Sequence, residues 1–250
     1  MTKLRSIFAT LKLLLVYTML GPALGIVGIP YTLIVDDISW LYRSAMWVAR
    51  AGVRAAGISV RHIGFENIPT GRASIFLCNH VSNLDPPILL PAIRLRCVVL
   101  LKRELMNIPI LGTAMKLGGY IPIERGAVNV SRRESAQASV DAAGKALAAG
   151  LNILIFPEGT RSLDGRLANF KKGPFFLAQQ TGAPIVPVAI SGTEAMLPKG
   201  SVWIAPGVAT VQMLPPIDPA NFSSRDDLMA AVRAAIAGAL PESMKPRSTT

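Results

Sequence analysis

The sequence predicts an α/β domain with a mostly parallel mixed sheet flanked by helices, preceded by a segment of two apolar helices. Two observations support this fold class. Short apolar runs alternate with helical patterns from Arg61 onward, which is typical of strand–helix–strand units. The chain of 250 residues is also 51% hydrophobic and only 16% charged, and this apolar excess is concentrated near the N-terminus. We therefore expect N-terminal helices in residues 1–60, the α/β domain in 61–240 and a polar tail in 241–250.

Residues Leu13 to Val35 carry no charge. At ~1.5 Å per residue they would form a helix of ~34 Å, enough to cross the ~30 Å of bilayer hydrocarbon. Because proline removes a backbone donor and kinks a helix, Pro22 and Pro30 favour a broken or re-entrant segment. The competing interpretation is a signal peptide, whose basic region would be Lys3, Arg5 and Lys12.

The next stretch, Ile38 to Val60, has arginines at helical spacing and interfacial tryptophans on another part of the wheel, namely Arg43, Arg50, Arg54, Trp40 and Trp47. Such a helix can lie among anionic lipid headgroups, although an ordinary solvated face would show the same pattern. A basic N-terminus prefers the cytoplasm, and a single crossing would place the domain outside. We therefore expect a two-helix anchor at the inner membrane, with the domain facing the cytoplasm.

The α/β domain is expected to contain seven strands and four helices. The predicted strands are Ser74–Cys78, Cys97–Leu101, Tyr120–Ile123, Asn152–Phe156, Ile185–Ile190, Val202–Ala205 and Ala209–Leu214. The predicted helices are Glu104–Lys116, Ser131–Ala149, Pro174–Thr181 and Arg225–Ala239. Ser131 and Glu134 form a capping-box pattern at the start of the second helix. Binding sites in such folds lie where the strands end and the loops begin.

The net charge of +11 indicates an anionic partner, such as a membrane surface, a phosphorylated substrate or nucleic acid. Nucleic acid is disfavoured, because the chain has no zinc-finger spacing or basic arm and only 6% aromatic residues. Cys78 and Cys97 both lie within apolar runs, so they are expected to be reduced core residues. This inventory predicts no metal site.

The loop Asn79–Asp85 carries one of the two histidines in the chain. An imidazole is suited to accepting a proton at neutral pH. Asp85 could bond the other ring nitrogen of His80 and stabilise the imidazolium, which would make the pair a general base with its orienting carboxylate. Alternatively, Asp85 could cap a helix that begins at Pro86.

Cationic side chains follow three of the other predicted strands, namely Lys102, Arg125 and Arg161. Two more, Lys171 and Lys172, stand just ahead of the helix predicted from Pro174. The guanidinium fork of arginine suits phosphate, and Gly159 would let the backbone approach a ligand closely. Taken singly, each cation could instead be paired with a neighbouring carboxylate or be solvated. Together with the His80 loop they predict a phosphate-binding site.

Four motifs in this order resemble those of the glycerolipid acyltransferases, and most closely the 1-acylglycerol-3-phosphate acyltransferases of bacteria. They are Asn79-His80-x-x-x-x-Asp85, Gly118-x-x-x-Pro122-Ile123-Glu124-Arg125, the run Phe156–Ser162, and Val186-Pro187-Val188. The resemblance covers about residues 40 to 215. The first and third motifs are specific, and the other two are weak on their own. The second departs from the family at Glu124, where many members have Asp, and at Pro122, where many have Phe.

The resemblance implies roles for individual residues. His80 would be the general base and Asp85 its orienter. The phosphate of a lysolipid would be held by Lys102, Arg125, Glu158, Gly159, Thr160 and Arg161. The resemblance also links Pro187 to binding of the acyl chain or donor. Ser82 lies two residues after the proposed base, and its hydroxyl could equally form a hydrogen bond within the loop or act as a nucleophile.

The expected reaction is acyl transfer from acyl-CoA or acyl carrier protein to the sn-2 hydroxyl of lysophosphatidate, giving phosphatidate, with no cofactor. The same chemistry on another lysolipid, such as a lyso-ornithine lipid or a lysophospholipid, is the nearest alternative. A hydrolase would need Ser82 or Cys78 as nucleophile, but the chain has no Gly-x-Ser-x-Gly elbow. A third alternative is a non-catalytic module that binds membranes through its basic loops.

Overall fold

A mixed β-sheet forms the centre of the computed structural model, which describes residues 3–123 and 132–247. The sheet confirms the predicted α/β class. Its seven strands in the described residues are β1 (Ile58–Ile63), β2 (Ile75–Cys78), β3 (Cys97–Lys102), β4 (Ile121–Ile123), β5 (Asn152–Ile155), β6 (Ile185–Ser191) and β7 (Gly207–Met213).

The strand order is β1-β7-β6-β2-β5-β3-β4. Adjacent strands pair in parallel, except that β6 and β7 are antiparallel. The carboxyl ends of β6, β2, β5, β3 and β4 consequently lie at one edge of the sheet. Because β2 is paired with β6 on one side and β5 on the other, the loop after β2 lies between the loops that follow those two strands. This edge is where an α/β sheet places its binding crevice.

Helices cover both faces of the sheet. They are α1 (Lys3–Val35), α2 (Ser39–Ala55), α3 (Asp85–Ile93), α4 (Leu111–Leu117), α5 (Arg132–Ala148), α6 (Gly173–Thr181), α7 (Thr193–Met196) and α8 (Arg225–Ala239). Apolar side chains of α1, α2 and α3 form one core with Phe76 and Val188. Those of α5, α6 and α8 form a second core with Leu77 and Ile153 on the opposite face, as the alternation of side chains along a strand requires.

Helix α1 is continuous over 33 residues, so the break expected at Pro22 and Pro30 does not occur. Each proline removes one backbone hydrogen bond, but α2 packs against the stretch of α1 that contains both prolines, from Tyr17 to Tyr31. A Cβ atom at Gly52 of α2 would overlap the ring of Tyr17, and the Tyr17 hydroxyl donates to the Ala49 carbonyl at 3.3 Å. Among the described residues, α1 is the one helix long and apolar enough to cross a membrane.

The two N-terminal helices share the core of the α/β domain. Leu13 and Val53 are buried in the first core. The Ile204 amide donates to the Thr10 hydroxyl at 2.8 Å, and the Tyr42 hydroxyl accepts from the Cys97 amide at 3.0 Å. The helix expected to reach Val60 ends at Ala55, and β1 crosses the boundary placed at residue 60. Strand β1 was not predicted, because its pairing partner β7 lies about 150 residues away in the sequence.

Two other predicted elements are wrong. Residues Val202–Ala205 form no strand. Both edges of β7 are already paired, one with β6 and the other with β1. The helix predicted at Glu104–Lys116 is a 3₁₀ segment, Arg103–Asn107, followed by α4. Pro109 separates the two, since proline disfavours a helical conformation in the residue before it.

Candidate active site

The loop that carries His80 leaves β2 at the centre of the sheet. The Asn79 side chain extends the pairing of β2 beyond the strand's end. Its amide donates to the Ile190 carbonyl at 2.9 Å, and its oxygen accepts from the Ile190 amide at 2.8 Å. Because Asn79 is fully buried, these two bonds fix the start of the loop and hence the position of the next residue, His80.

His80 and Asp85 form the expected pair. Nδ1 of His80 lies 2.8 Å from Oδ2 of Asp85, and the Asp85 side chain is fully buried. The same oxygen accepts from the Val81 and Ser82 amides, each at 2.8 Å. Asp85 is also the first residue of α3, but its carboxylate makes no cap bond to that helix. Of the two interpretations, the geometry supports the orienting carboxylate.

The second carboxylate oxygen of Asp85 is held by Thr193, at the first position of α7. The Thr193 hydroxyl donates to Oδ1 at 2.6 Å, and the Thr193 side chain is fully buried. Its loop is fixed in turn by Gly192, where a Cβ atom would overlap the Val208 carbonyl oxygen. With both oxygens engaged, the carboxylate cannot rotate away from His80.

The His80 ring is also fixed from one side by Phe156, the residue after β5. The two rings stack with centroids 4.0 Å apart and an interplanar angle of 21°. The His80 side chain keeps 17% of its surface exposed. With the Nδ1 hydrogen directed at Asp85, the lone pair is on Nε2, which is the tautomer that a general base requires.

Glu158 reaches into the same site from the loop after β5. Its Oε1 accepts from the His80 amide at 3.0 Å, and its side chain is buried. Burial raises the pKa of Glu158 to about 7. Among the described residues, Oε2 has no hydrogen-bond partner. The buried Glu158 side chain joins the β2 and β5 loops. Its place in the phosphate-binding group stays a prediction of the motif.

Four other expected phosphate ligands, Lys102, Gly159, Thr160 and Arg161, lie at or just after strand ends on the same edge of the sheet. Gly159 has a φ of +75°, a left-handed conformation that favours glycine. Thr160 is exposed and Arg161 half-buried. Lys102 is the last residue of β3, and β3 pairs with β4 at that point. Arg125, expected just after β4, lies outside the described residues, as do Glu124 and Ser131.

Pro187 occupies a different position from these loops. It is buried within β6, opposite Leu77 of β2. Ile185 and Ala189, which lie two residues before and after it and so face the same side of the sheet, belong to the core shared with α5, α6 and α8. Pro187 therefore lies on the side of the sheet away from α1.

Neither alternative nucleophile is available to a substrate. Ser82 is fully buried and donates to the Leu197 carbonyl at 2.9 Å while accepting from the Leu84 amide. Cys78 is fully buried in β2, and burial raises its thiol pKa well above the ordinary value. Both side chains serve the packing of the loop, which leaves a substrate hydroxyl as the group on which His80 can act.

Sequence reasoning missed three residues that hold the His80–Asp85 pair: Asn79, Phe156 and Thr193. The first two stand inside motifs that were recognised for other reasons. Thr193 is 108 residues from Asp85 and follows a strand end, as His80 does. Its position after β6 was the one available signal.

The sequence and the fold were compared with known proteins. Residues 59–191 match the family model described as Acyltransferase. A 1-acyl-sn-glycerol-3-phosphate acyltransferase of Limnanthes douglasii is 33% identical over 78% of this chain and 68% of its own length. The human protein named 1-acyl-sn-glycerol-3-phosphate acyltransferase beta is 35% identical over 64% of this chain and 56% of its own.

A solved structure gives the same picture. The crystal structure of the 1-acyl-sn-glycerophosphate (LPA) acyltransferase PlsC from Thermotoga maritima superposes with a TM-score of 0.81 and 26% sequence identity. The match covers 94% of this chain and 96% of that one. The similarity therefore includes the N-terminal helices as well as the sheet.

Proposed function

The chain belongs to the acyltransferase family, and from this we propose that it transfers a fatty acyl group from a thioester to the sn-2 hydroxyl of 1-acyl-sn-glycerol 3-phosphate. The product would be phosphatidate. The relatives that match over most of this chain carry the name of that activity. The single observation that carries the proposal is the contact of 2.8 Å between His80 Nδ1 and Asp85 Oδ2.

The proposed chemistry needs no acyl-enzyme intermediate. His80 Nε2 accepts the hydroxyl proton as the substrate oxygen attacks the thioester carbonyl, and Asp85 stabilises the imidazolium. The new O–C bond forms, the C–S bond breaks, and the proton passes from Nε2 to the departing thiolate. The absence of an exposed nucleophile beside His80 in the described residues supports this route, because the substrate then supplies its own.

We assign binding of the lysolipid phosphate to the loops at the carboxyl edge of the sheet. Gly159, Thr160 and Arg161 follow β5, Lys102 ends β3, and Arg125 is carried forward from the sequence motif. These cations would hold the phosphate so that the sn-2 hydroxyl meets His80. Orientation of this kind can lower a barrier by several kcal/mol, up to roughly 7–11 in model systems.

The donor is proposed to be acyl-CoA or an acyl carrier protein, since both present the acyl group as a thioester. Pro187 remains the residue we link to the acyl chain or donor, and its place in the buried part of β6 supports a role in shaping an apolar wall. No cofactor enters the proposed reaction.

Membrane association is proposed for α1. Nine large hydrophobic side chains are exposed in the rest of the described residues. Over its length of ~50 Å, α1 alone exposes twelve: Leu4, Phe8, Leu11, Leu14, Leu15, Met19, Ile26, Val27, Tyr31, Leu33, Ile34 and Val35. Contiguous apolar surface of this extent marks a membrane or protein contact. Together with the net charge of +11, it supports binding to an anionic bilayer. We propose the inner membrane, with the sheet on the cytoplasmic side.

The test is acyl transfer by the purified full chain in detergent, with labelled oleoyl-CoA or oleoyl carrier protein as donor. Lysophosphatidate, lysophosphatidylcholine and a lyso-ornithine lipid are offered as acceptors in parallel. We expect labelled phosphatidate from lysophosphatidate and much less product from the other two. Comparable rates with an acceptor that lacks the phosphate monoester would reject the proposed substrate.

A further inference from the structure

A cavity of about 790 Å³ opens beside the His80 loop, and Arg161 and Ser162 are among the residues that line it. Its walls are the segment 160–169 after β5, Lys199 before β7, Arg233 on α8, and Pro246 and Arg247 near the C-terminus. The segment is joined to the active site directly, because the Ser162 amide donates to the His80 carbonyl at 2.8 Å. This backbone contact places one wall of the cavity beside the loop that carries His80.

The cavity is strongly basic. Besides Arg161, which is assigned above to the lysolipid phosphate, four cations line it, namely Arg166, Lys199, Arg233 and Arg247, against one lining carboxylate, Asp164. Asp164 pairs with Arg247 at 3.1 Å, with both side chains largely exposed. Within residues 3–123 and 132–247, no ion pair joins Arg166, Lys199 or Arg233 to a carboxylate, although Arg233 interacts electrostatically with Glu158 and Arg166 with Glu242. The residues that line the cavity carry a net positive charge, which favours an anion.

Backbone carbonyls orient three of these cations instead. Arg166 donates to the Lys245 carbonyl at 3.0 Å, Lys199 to the Arg161 carbonyl at 3.0 Å, and Arg233 to the Ala168 carbonyl at 3.5 Å. Such bonds hold a side chain in place without neutralising it. The guanidinium groups of Arg166 and Arg233 suit phosphate, because a planar guanidinium makes paired, charge-assisted hydrogen bonds to it.

The position of the cavity separates it from the membrane helices. Leu167 and Met244, which flank its wall, belong to the core shared with α5, α6 and α8, whereas α1 packs into the core on the opposite face. A lysolipid would approach from the side of α1. A water-soluble polyanion can approach from the side of α8 without crossing the bilayer surface.

We propose that this cavity binds the phosphorylated nucleotide end of a coenzyme A thioester, an inference that rests on the proposed function. The volume lies within the roughly 300–1,000 Å³ usual for small-molecule pockets and far exceeds that of one phosphate group. The several phosphates of coenzyme A match several cations, and its thioester arm would lead past Ser162 to His80.

The test is calorimetric titration of the full chain with coenzyme A and with adenosine 3′,5′-bisphosphate, which do not require turnover. The variants are Arg166→Gln, Arg233→Gln and the double variant. Arg61→Gln serves as a control, because it removes one positive charge from the exposed face of the edge strand β1. Unchanged thermal melting shows that each variant folds as the wild type does.

We expect the double variant to weaken binding of both ligands about tenfold or more, since hydrogen bonds to charged groups contribute strongly. Arg61→Gln should bind as the wild type does. In the transfer assay the double variant should raise the KM for oleoyl-CoA and leave the KM for lysophosphatidate nearly unchanged.

Equal affinities in wild type and double variant would overturn the inference. So would a wild type that uses only carrier-protein donors and binds no coenzyme A, or a double variant whose KM rises for lysophosphatidate alone. The titration also separates the two proposals. If the double variant loses coenzyme A binding, the cavity assignment is supported, whether or not any acceptor is acylated. If the wild type acylates none of the acceptors, only the proposed function is rejected.

Discussion

The Thr193 hydroxyl donates to Oδ1 of Asp85 across 2.6 Å, while Oδ2 of the same carboxylate faces Nδ1 of His80 at 2.8 Å. The three side chains come from the ends of adjacent strands β6 and β2, or from the loops just after them. This chain of contacts orients the imidazole from a position that no substrate needs to touch.

Replacement of Thr193 tests this positioning role. Thr193→Val keeps the shape and removes the donor, so we expect kcat to fall about 10- to 100-fold, as for loss of a hydrogen bond to a charged group. The KM for lysophosphatidate should change little, because Thr193 contacts no substrate. Steady-state kinetics measures both values.

Two controls accompany this variant. Thr193→Ser retains the donor and should restore most of the activity. Thr181→Val removes a hydroxyl that donates to the Leu177 carbonyl and accepts from the Ala183 amide at the end of α6, and its kcat should match that of the wild type. If Thr193→Val also behaves as the wild type while folding normally, Thr193 does not position the pair.

Asp85→Asn tests the carboxylate itself. The asparagine side chain would offer one acceptor oxygen fewer to the donors of His80, Val81 and Ser82. The histidine tautomer with its hydrogen on Nδ1, which the general base requires, would then be lost. In a serine protease the corresponding change lowers kcat roughly 10⁴-fold, and we expect a loss of similar order here. Binding of lysophosphatidate, measured by equilibrium dialysis, should persist. A loss of binding equal to the loss of rate would argue for a structural role alone.

Glu158 predicts a dependence of stability on pH. Burial raises its pKa to about 7 in the folded protein, from an ordinary value of 4.5. The folded state therefore binds the proton more tightly than the unfolded state does. The stabilisation from this group is complete below about pH 4.5 and is lost as the pH rises through about 7. At roughly 1.4 kcal/mol per unit of pKa, the difference is about 3 kcal/mol.

Urea unfolding of the wild type and of Glu158→Gln across pH 4.5–8 measures this effect. The difference in unfolding free energy between the two proteins should shift in favour of the glutamine variant as the pH rises. Glu66→Gln, at a position outside the active site, is the matched control and should show no such shift. A difference that is constant with pH would contradict the raised pKa.

Arg161 distinguishes the two substrates. We expect Arg161→Ala to raise the KM for lysophosphatidate at least tenfold, the effect of losing a charge-assisted contact of about 1.4 kcal/mol or more. The KM for oleoyl-CoA should rise less. Lys172→Ala is the control, because Lys172 pairs with Asp226 at the surface. Equal increases for both substrates would remove the assignment of Arg161 to the lysolipid phosphate.

The exposed apolar face of α1 is proposed to bind the membrane, so a single charged residue introduced on that face should weaken the binding. Leu15 and Ile26 are 60% and 63% exposed, so Leu15→Glu and Ile26→Glu should fold normally but bind vesicles of anionic phospholipid less tightly. Flotation of the purified protein with such vesicles measures the bound fraction. Leu163→Glu, which alters a still more exposed side chain outside α1, should float as the wild type does. Unchanged flotation of both α1 variants would contradict the proposed anchor.

Local sequence patterns predicted much of the sheet and the central pair. Strands β2, β3, β5 and β6 are short apolar runs between turn signals, so their positions could be read from the sequence alone. His80 and Asp85 are five residues apart, close enough for the loop motif to imply their contact. The family resemblance then indicated the type of reaction, acyl transfer from a thioester to a lysolipid hydroxyl.

Other features depend on contacts between distant segments. Strand β1 exists because it pairs with β7, and Thr193 meets Asp85 across 108 residues. Helix α1 continues through Pro22 and Pro30 because α2 packs along it, which no local helix rule anticipates. The basic cavity combines α8, the C-terminal segment and the loop after β5, so its charges are scattered along the sequence.

The measurement that tests the account most directly is the rate of phosphatidate formation by wild type and His80→Ala. Labelled lysophosphatidate is supplied with oleoyl-CoA or oleoyl carrier protein, and His62→Ala serves as the matched control. We expect the wild type and His62→Ala to form phosphatidate, and His80→Ala to lose at least ~10²–10⁴-fold in rate, the contribution of a positioned general base. Phosphatidate formation by His80→Ala at the wild-type rate would contradict the account.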